Sequence, residues 1–187
     1  MVKIKTCVFI SGQGSNLKNL ILRSRDSNFP INIKLIITDN KYARGIMYAK
    51  NNSIPYAVIN TKLKNYENQL IQILRNNKIS LICLAGYMKI ISKKILRKYE
   101  KKIINIHPSL LPKFKGLNTF SRILKNKEKI TGCTVHYVNN KLDAGYIISK
   151  KSFFIEPDDN DKILKFKTQK LEYRVFPEAI IKIFRNN

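Results

Sequence analysis

The run from Val2 to Thr38 constrains the fold more than any other part of the chain. Val2 to Ile10 is β-rich and closes on Ser11-Gly12-Gln13-Gly14. From Ser15 the spacing becomes helical, with Leu17, Leu20, Ile21 and Ser24 on one face, and Ile31 to Thr38 is again β-rich, ending at Asp39-Asn40. Strand, glycine loop, helix, strand is how a parallel sheet begins, because a parallel neighbour is reached only by a crossover long enough to hold a helix.

The alternation continues. A helix is predicted around Ala43 to Asn51, carrying Ile46, Met47 and Lys50, and a short strand from Ile54 to Ile59 behind Pro55. Tyr66 to Asn76 reads as a helix with Leu70, Ile73 and Leu74 inward. Ser80 to Ala85 is almost continuously apolar, as a central strand covered on both faces would be. Ser92 to Glu100 is helical through Ile95, Leu96 and Tyr99, and Ile103 to His107 is a strand running into a proline-bounded loop. After Pro112 the pattern changes. A short helix from Asn118 to Asn126 precedes two strands, Cys133 to Val138 and Gly145 to Phe154, with no helix between them, so they should pair antiparallel at a sheet edge. Asp158 is expected to cap a long last helix with Ile163, Leu164, Phe166, Leu171, Val175, Ile180 and Ile183 inward, kinked or broken at Pro177. The expected fold class is α/β, a Rossmann-like doubly wound, mostly parallel sheet with an antiparallel C-terminal edge. No repeat or linker interrupts it, so residues 1–187 are expected to form a single domain.

Composition narrows the function. The net charge is +24, but lysine is spread along the whole chain beside frequent asparagine and isoleucine. A dedicated nucleic-acid surface would cluster its charge, so a soluble basic enzyme is favoured over a nucleic-acid partner, and the charge would still steer phosphorylated or polycarboxylate ligands inward. Cys7, Cys83 and Cys133 lie in apolar runs without paired spacing and read as buried thiols of a reducing cytosol. The apolar N-terminal run is too short for a signal peptide and no stretch is long enough for a membrane span, so a cytoplasmic location without a membrane partner is expected.

Three places carry chemistry. Asn105 and His107, two apart on a strand, point to one face. An amide that donates to a developing oxyanion and an imidazole that moves protons suit acyl transfer; a polar strand end with a satisfied histidine is the alternative. Gly14, Ser15 and Asn16 place backbone amides and a hydroxyl at a helix start, suited to a phosphate or simply to an ordinary serine cap. The glycine loop approaches a dinucleotide fingerprint with Asp39 as the ribose acid, but Leu17 stands where a third small residue is needed. Asp143, in Lys-Leu-Asp-Ala-Gly, is either a turn former or the carboxylate that favours the protonated form of His107. Sites of such sheets form at the carboxyl ends of strands, where these features would meet. His136, on an alternating strand, is expected to be structural. Two histidines without a Cys/Asp cluster support no metal, and no Gly-x-Ser-x-Gly supports a serine nucleophile.

Asn105-Ile-His-Pro-Ser-Leu-Leu-Pro-Lys-Phe-Lys-Gly116 resembles the signature of the folate-dependent formyltransferases. Further matches are Ile10 to Leu17, Leu84 to Ser92, and Val135 to Val138 followed by Leu142 to Gly145, so the resemblance spans nearly the whole chain in order. It is most similar to the members that formylate glycinamide ribonucleotide in purine synthesis. The resemblance implies a formyltransferase fold and two small-molecule substrates, the ribonucleotide and 10-formyltetrahydrofolate as co-substrate, with no metal. It implies that Asn105 hydrogen-bonds the formyl oxygen of a tetrahedral intermediate, that His107 is general acid and proton relay, and that Asp143 raises its pKa and orients it. It also implies that Gly14, Ser15 and Asn16 take the ribonucleotide phosphate and that Glu172, with Gln169 nearby, binds its amine. The pterin would lie against Met88, Lys89, Ile90, Ile91, Asn139, Asn140, Lys141, Leu142 and Asp143, largely on backbone groups, with Asn105 beside the formyl group. Lys89 replaces a usual arginine, and Lys62 or Lys64 replaces an arginine expected before Tyr66 at the folate's glutamate tail. The chain ends at Asn187 without the tail of longer members, which is expected to be dispensable. Enzymes that formylate methionyl-tRNA or hydrolyse formyltetrahydrofolate are the rivals; each is expected to carry a further domain. A monomer and a homodimer are equally compatible with the sequence.

Overall fold

The computed structural model describes residues 2–185, so the chain end at Asn187 lies outside the described residues. Seven strands, β1 (Ile4–Ile10), β2 (Ile31–Thr38), β3 (Tyr56–Val58), β4 (Leu81–Leu84), β5 (Ile103–His107), β6 (Ile130–Tyr137) and β7 (Ile147–Phe154), run in the sheet order β3-β2-β1-β4-β5-β6-β7. Six helices alternate with them: α1 (Ser15–Ser24), α2 (Ile46–Asn51), α3 (Tyr66–Asn76), α4 (Lys93–Lys98), α5 (Thr119–Lys125) and α6 (Asp161–Arg185). The chain divides into two compact units, Met1–Ile104 and Asn105–Asn187.

In the first unit β1 pairs in parallel with β2 on one side and β4 on the other, and β2 pairs with β3. The strand order therefore reverses between β1 and β4, and the loops after these two strands lie at a topological switch point. Both loops are tied together: the Ser11 amide donates to the Gly86 carbonyl at 3.2 Å, and the Met88 amide donates to Ser11 Oγ at 2.9 Å. Ser11 Oγ in turn donates to Asp39 Oδ1 at 2.5 Å, so Asp39 secures the loop after β1. Phe9, Leu17, Leu20, Ile36, Ile37, Leu70, Leu74 and Ile82 are fully buried between the sheet and its helices. At about 1.5–3 kcal/mol for each such side chain, this burial is the main force behind the unit.

The expected strand from Val2 begins at Ile4, because Val2 is 91% exposed and has no core to enter. The expected third strand shrinks to three residues with Tyr56 and Val58 exposed, as befits the sheet's edge. In α2 it is Ile46 and Ala49 that face the core, whereas Met47 and Lys50 point outward. The helix is only six residues long, and its buried stripe follows an i, i+3 spacing.

Helix α1 starts differently from a serine-capped helix. Gly14 is its N-cap, in the left-handed region at φ 71°, with no side-chain capping bond, and Ser15 is already helical. A Cβ on Gly14 would sit 2.6 Å from the Cα of Gly45, so the two glycine backbones meet where no side chain fits. Gly14→Ala, strained in φ and blocked by backbone, is expected to destabilise the fold by about 1–3 kcal/mol, measured as a lower urea midpoint at unchanged slope. An unchanged midpoint would contradict this packing.

In the second unit β6 and β7 pair antiparallel, from Ile130↔Phe154 to His136↔Ile147. Helix α6 covers them and buries Leu164, Thr168, Val175, Phe176, Pro177, Ala179 and Ile180. One expectation fails here, and of the kink or break expected at Pro177 the break does not occur. Asn160, not Asp158, starts the helix: its Oδ1 accepts from the amides of Lys162 and Ile163 at 3.0 and 3.1 Å. The helix also runs unbroken for 25 residues through Pro177. An internal proline costs about 3 kcal/mol, and burial of Val175, Phe176 and Ile180 around it offsets that cost. Ile163 and Phe166, expected inward, are exposed; the buried stripe of these turns runs through Leu164 and Thr168 instead.

Among the described residues no helix is long and apolar enough to cross a membrane, and no group of three His, Cys, Asp or Glu could hold a metal ion. The three cysteines are free and buried, and burial pushes each thiol well above its ordinary pKa, which leaves them unreactive.

Candidate active site

Strand β5 delivers Asn105 and His107 to one face, as their spacing predicts, and the turn before β7 brings Asp143 to both. His107 is buried, with Nε2 2.9 Å from the carbonyl oxygen of Phe114 and Nδ1 3.3 Å from Asp143 Oδ2. A carbonyl only accepts, so Nε2 carries a proton and donates it. Nδ1 then faces a carboxylate: protonated, it forms a charge-assisted bond; neutral, it presents a lone pair to a negative oxygen. Burial lowers the His107 pKa below its ordinary value, and the Phe114 carbonyl and the Asp143 charge oppose that fall without reversing it. Asp143 thus acts in the expected direction, but desolvation of the ring outweighs it.

Asp143 sits in the left-handed region at φ 45°, which aspartate tolerates better than most residues. Its Oδ2 also accepts from the Gly116 amide at 2.9 Å, and its Oδ1 lies 3.5 Å from Asn105 Nδ2. Burial raises its carboxyl, and the His136 ring, the Gly116 amide and the His107 ring together overcome that and hold it at about 2. Of these the Gly116 amide is the firmest contact, since His136 Nε2 stands 3.6 Å from Oδ1.

His136, expected to be structural, belongs to the cluster. Its Nδ1 lies 2.8 Å from the carbonyl oxygen of Tyr137 and so carries a proton; in the neutral ring the Nε2 lone pair accepts from Asn105 Nδ2 at 3.3 Å, and in the charged ring the Nε2 hydrogen faces Asp143. One amide hydrogen of Asn105 is thereby fixed on His136. The other points toward Asp143 at a distance long for a hydrogen bond, and an incoming oxygen could take it over.

The supports of this cluster leave almost no mark on the local sequence pattern. The loop from Pro108 to Gly116 is pinned by Thr134, whose Oγ1 donates to the Ser109 carbonyl at 2.7 Å and accepts from the Leu111 amide at 3.1 Å. Ser109, fully buried, donates to the Lys113 carbonyl at 2.7 Å. This pinning presents the Phe114 carbonyl to His107 and the Gly116 amide to Asp143. Alternation along β6 puts Thr134 and His136 on one face, the one hint that both serve the same place.

The remaining expected residues fall as follows. Gln169 and Glu172 stand three apart on α6, half-buried on one face, with the Glu172 charge near enough to Cys133 to raise its thiol pKa further. Asn139 closes its own turn, accepting from the Lys141 amide at 2.9 Å and donating to the Ala144 carbonyl at 3.2 Å, while Asn140, Lys141 and Leu142 are exposed. In the first unit Met88, Lys89 and Ile90 are exposed and Ile91 is buried; Lys64 is exposed just before α3, and Gly14, Ser15 and Asn16 open α1.

The cluster sets an acid limit on stability. The ordinary carboxyl value is about 3.9 and that of Asp143 is about 2, so its contribution is complete above about pH 4 and lost as pH falls toward 2. His107, lowered by burial, adds a loss of the same sign that begins as pH drops below about 6.5. Melting temperatures of the wild type and Asp143→Asn are expected to converge between pH 4 and 2; a constant gap would contradict the depressed carboxyl.

A buried imidazole between a carboxylate and a carbonyl, beside an amide with one hydrogen to spare, is equipment for moving protons and stabilising an oxyanion. A family profile described as Formyl transferase matches residues 4–180. The chain is 38% identical over 182 residues to phosphoribosylglycinamide formyltransferase of Haemophilus influenzae, covering 94% of this chain and 85% of that one. It is 37% identical over 182 residues to the human trifunctional purine biosynthetic protein adenosine-3, covering 95% of this chain and 18% of that one. The crystal structure of phosphoribosylglycinamide formyltransferase from Brucella melitensis aligns with a TM-score of 0.93 at 35% identity, over 97% of this chain and 96% of that one. That from Anaplasma phagocytophilum aligns at 0.90 and 37%, over 96% and 86%. The chain belongs to the formyl transferase family. Within it the chain groups with the phosphoribosylglycinamide formyltransferases, and it is a formyl-transferring enzyme.

Proposed function

We propose that the enzyme moves the formyl group of 10-formyltetrahydrofolate to the amine of glycinamide ribonucleotide, in cytoplasmic purine synthesis, with residues 1–187 acting as one formyltransferase domain. The observation that carries this reading is Asp143 joining Asn105 and His107 in one buried cluster, in a chain whose family match runs from residue 4 to residue 180. The co-substrate supplies a formyl carbon on a tertiary nitrogen. To the folate we assign, on the family resemblance, Lys64, Met88, Lys89, Ile90 and Ile91 of the first unit and the turn from Asn139 to Asp143 of the second; Met88, Ile90 and Leu142 are exposed apolar side chains, as contact with a flat heteroaromatic ring requires.

The amine forms the new C–N bond as the old one breaks, so one proton must leave the amine and one must reach the departing nitrogen. In the reacting complex His107, mostly neutral through burial, exchanges the Phe114 carbonyl for the substrate: with its proton on Nδ1 toward Asp143, Nε2 takes the first and, as imidazolium stabilised by Asp143, delivers it to the departing nitrogen. Asn105, anchored on His136, turns its second amide hydrogen to the formyl oxygen as charge builds there. Gly14, Ser15 and Asn16 hold the ribonucleotide phosphate, and Glu172 with Gln169 orients the amine.

A spectroscopic assay of formyl-folate loss tests this. Turnover is expected only when glycinamide ribonucleotide is added, and removal of its phosphate should raise KM about tenfold or more. Loss of formyl-folate at the same rate without the acceptor would mark a hydrolase instead.

A further inference from the structure

We propose that Arg122 is a positioning residue of the formyl-transfer site, acting on Asp143 through the single peptide group between Lys115 and Gly116. This role rests on the formyl-transfer reading above and falls to a residue outside the cluster of Asn105, His107 and Asp143. All the residues concerned belong to the second unit.

The turn from Phe114 to Asn118 has an unfavourable backbone. Phe114, Gly116 and Asn118 stand in the left-handed region, at φ 56°, 78° and 53°. Two of the three carry a Cβ, and such residues stay in that region only where their surroundings hold them. Helix α5 supplies the hold. Arg122 Nη1 donates to the Lys115 carbonyl at 2.6 Å and lies 3.4 Å from the Leu117 carbonyl oxygen. Between them the buried Thr119 donates its hydroxyl to the Gly116 carbonyl at 3.1 Å. The guanidinium carbon also stands 5.7 Å from the centre of the Phe114 ring. Three successive carbonyls are thus held from one helix.

The Lys115 carbonyl and the Gly116 amide are the two ends of one planar peptide. Arg122 holds its oxygen at 2.6 Å, and Asp143 Oδ2 accepts from its N–H at 2.9 Å. A cation at the oxygen and an anion at the hydrogen polarise the group in the same sense, so each bond strengthens the other. The carboxylate that stabilises the His107 imidazolium is therefore anchored, one peptide away, by an exposed arginine. After burial, which is the larger cause, the Arg122 charge also lowers the His107 pKa directly. Work at about pH 8 sets that second effect aside, because the ring is neutral there with or without Arg122.

The test places Arg122→Gln in the wild type and in Asp143→Asn. In the wild type it is expected to lower kcat about tenfold and to leave both KM values within about twofold, since the loss falls on the imidazolium formed during reaction. In Asp143→Asn the same change should cost less than about twofold, because no carboxylate is left for the peptide to hold. In amide NMR spectra without substrate, the Gly116 hydrogen is expected to move upfield in Arg122→Gln and to exchange about tenfold or more faster. Additive losses from the two substitutions, or a Gly116 amide that stays in place, overturn the proposal. So does a raised KM at unchanged kcat, which would make Arg122 a substrate contact. If Arg122→Gln displaces amides beyond this turn, Arg122→Lys is judged by the same readings: a smaller rate loss with a displaced Gly116 amide sustains the role, and a loss without it overturns the role. A protein that does not formylate the ribonucleotide refutes the formyl-transfer reading alone. The spectra then decide for Arg122, a displaced Gly116 amide sustaining its hold on the peptide and an unmoved one overturning it.

Discussion

Asn105→Ala is expected to lower kcat about 100-fold or more with little change in either KM, and His107→Ala to do at least as much. The argument for Asn105 is geometric. Its Nδ2 is held by His136 Nε2 at 3.3 Å while the contact to Asp143 Oδ1 is stretched to 3.5 Å, so one hydrogen is fixed and the other is available. A donor already aimed at a developing oxyanion needs no reorganisation at the moment of reaction, and loss of such a donor costs about 2.7–4 kcal/mol of transition-state stabilisation. Because the hydrogen bond strengthens only as charge develops, kcat should fall and KM should not. For His107 the loss is of a proton relay. Both ring nitrogens are engaged, by Phe114 and by Asp143, which fixes the ring plane. Steady-state rates near wild type for either variant would remove that residue from the chemistry.

Asp143→Asn is expected to cost about 100-fold or more in kcat/KM and to move the acidic limb of its pH profile to lower pH. The sign follows from the charges. Burial already lowers the His107 pKa below its ordinary value, and the Asp143 charge is one of the forces holding it up. The neutral amide removes that force, so the ring gives up its proton at a still lower pH and the ascending limb moves with it. The shift separates an electrostatic role from a structural one, since a loosened Gly116 loop would lower the rate at every pH equally. A limb that stays in place would reject the electrostatic role.

What could be read in the sequence differed by element, for physical reasons. Helix α3 fell on the predicted residues because Leu70 and Leu74 repeat at helical spacing between clear breakers. Strand β5 and its Asn105/His107 pair were legible because a two-residue period fixes which side chains share a face. For Asp143 the local pattern allows a turn former or a carboxylate beside His107, and the structure has it as both: the left-handed conformation shapes the turn that aims the carboxylate at His107. The role of His136 was hidden, since alternation along β6 cannot say which strand lies beside it. At Pro177 local chemistry allows a kink or a break, and tertiary burial of its neighbours keeps the helix from breaking. The Ser109 and Thr134 bonds that shape the loop join residues 25 apart and leave no mark on local pattern.

The central claim is that the Asn105, His107 and Asp143 cluster passes a formyl group to a ribonucleotide amine. The most direct measurement is a single-turnover experiment with radiolabelled formyl-folate bound to excess enzyme, with glycinamide ribonucleotide, methionyl-tRNA and water present together as acceptors. The account predicts that the label appears on the ribonucleotide amine in the wild type and remains on the folate over the same interval in Asn105→Ala. Label in formate or on the tRNA, or full transfer by the variant, would contradict it.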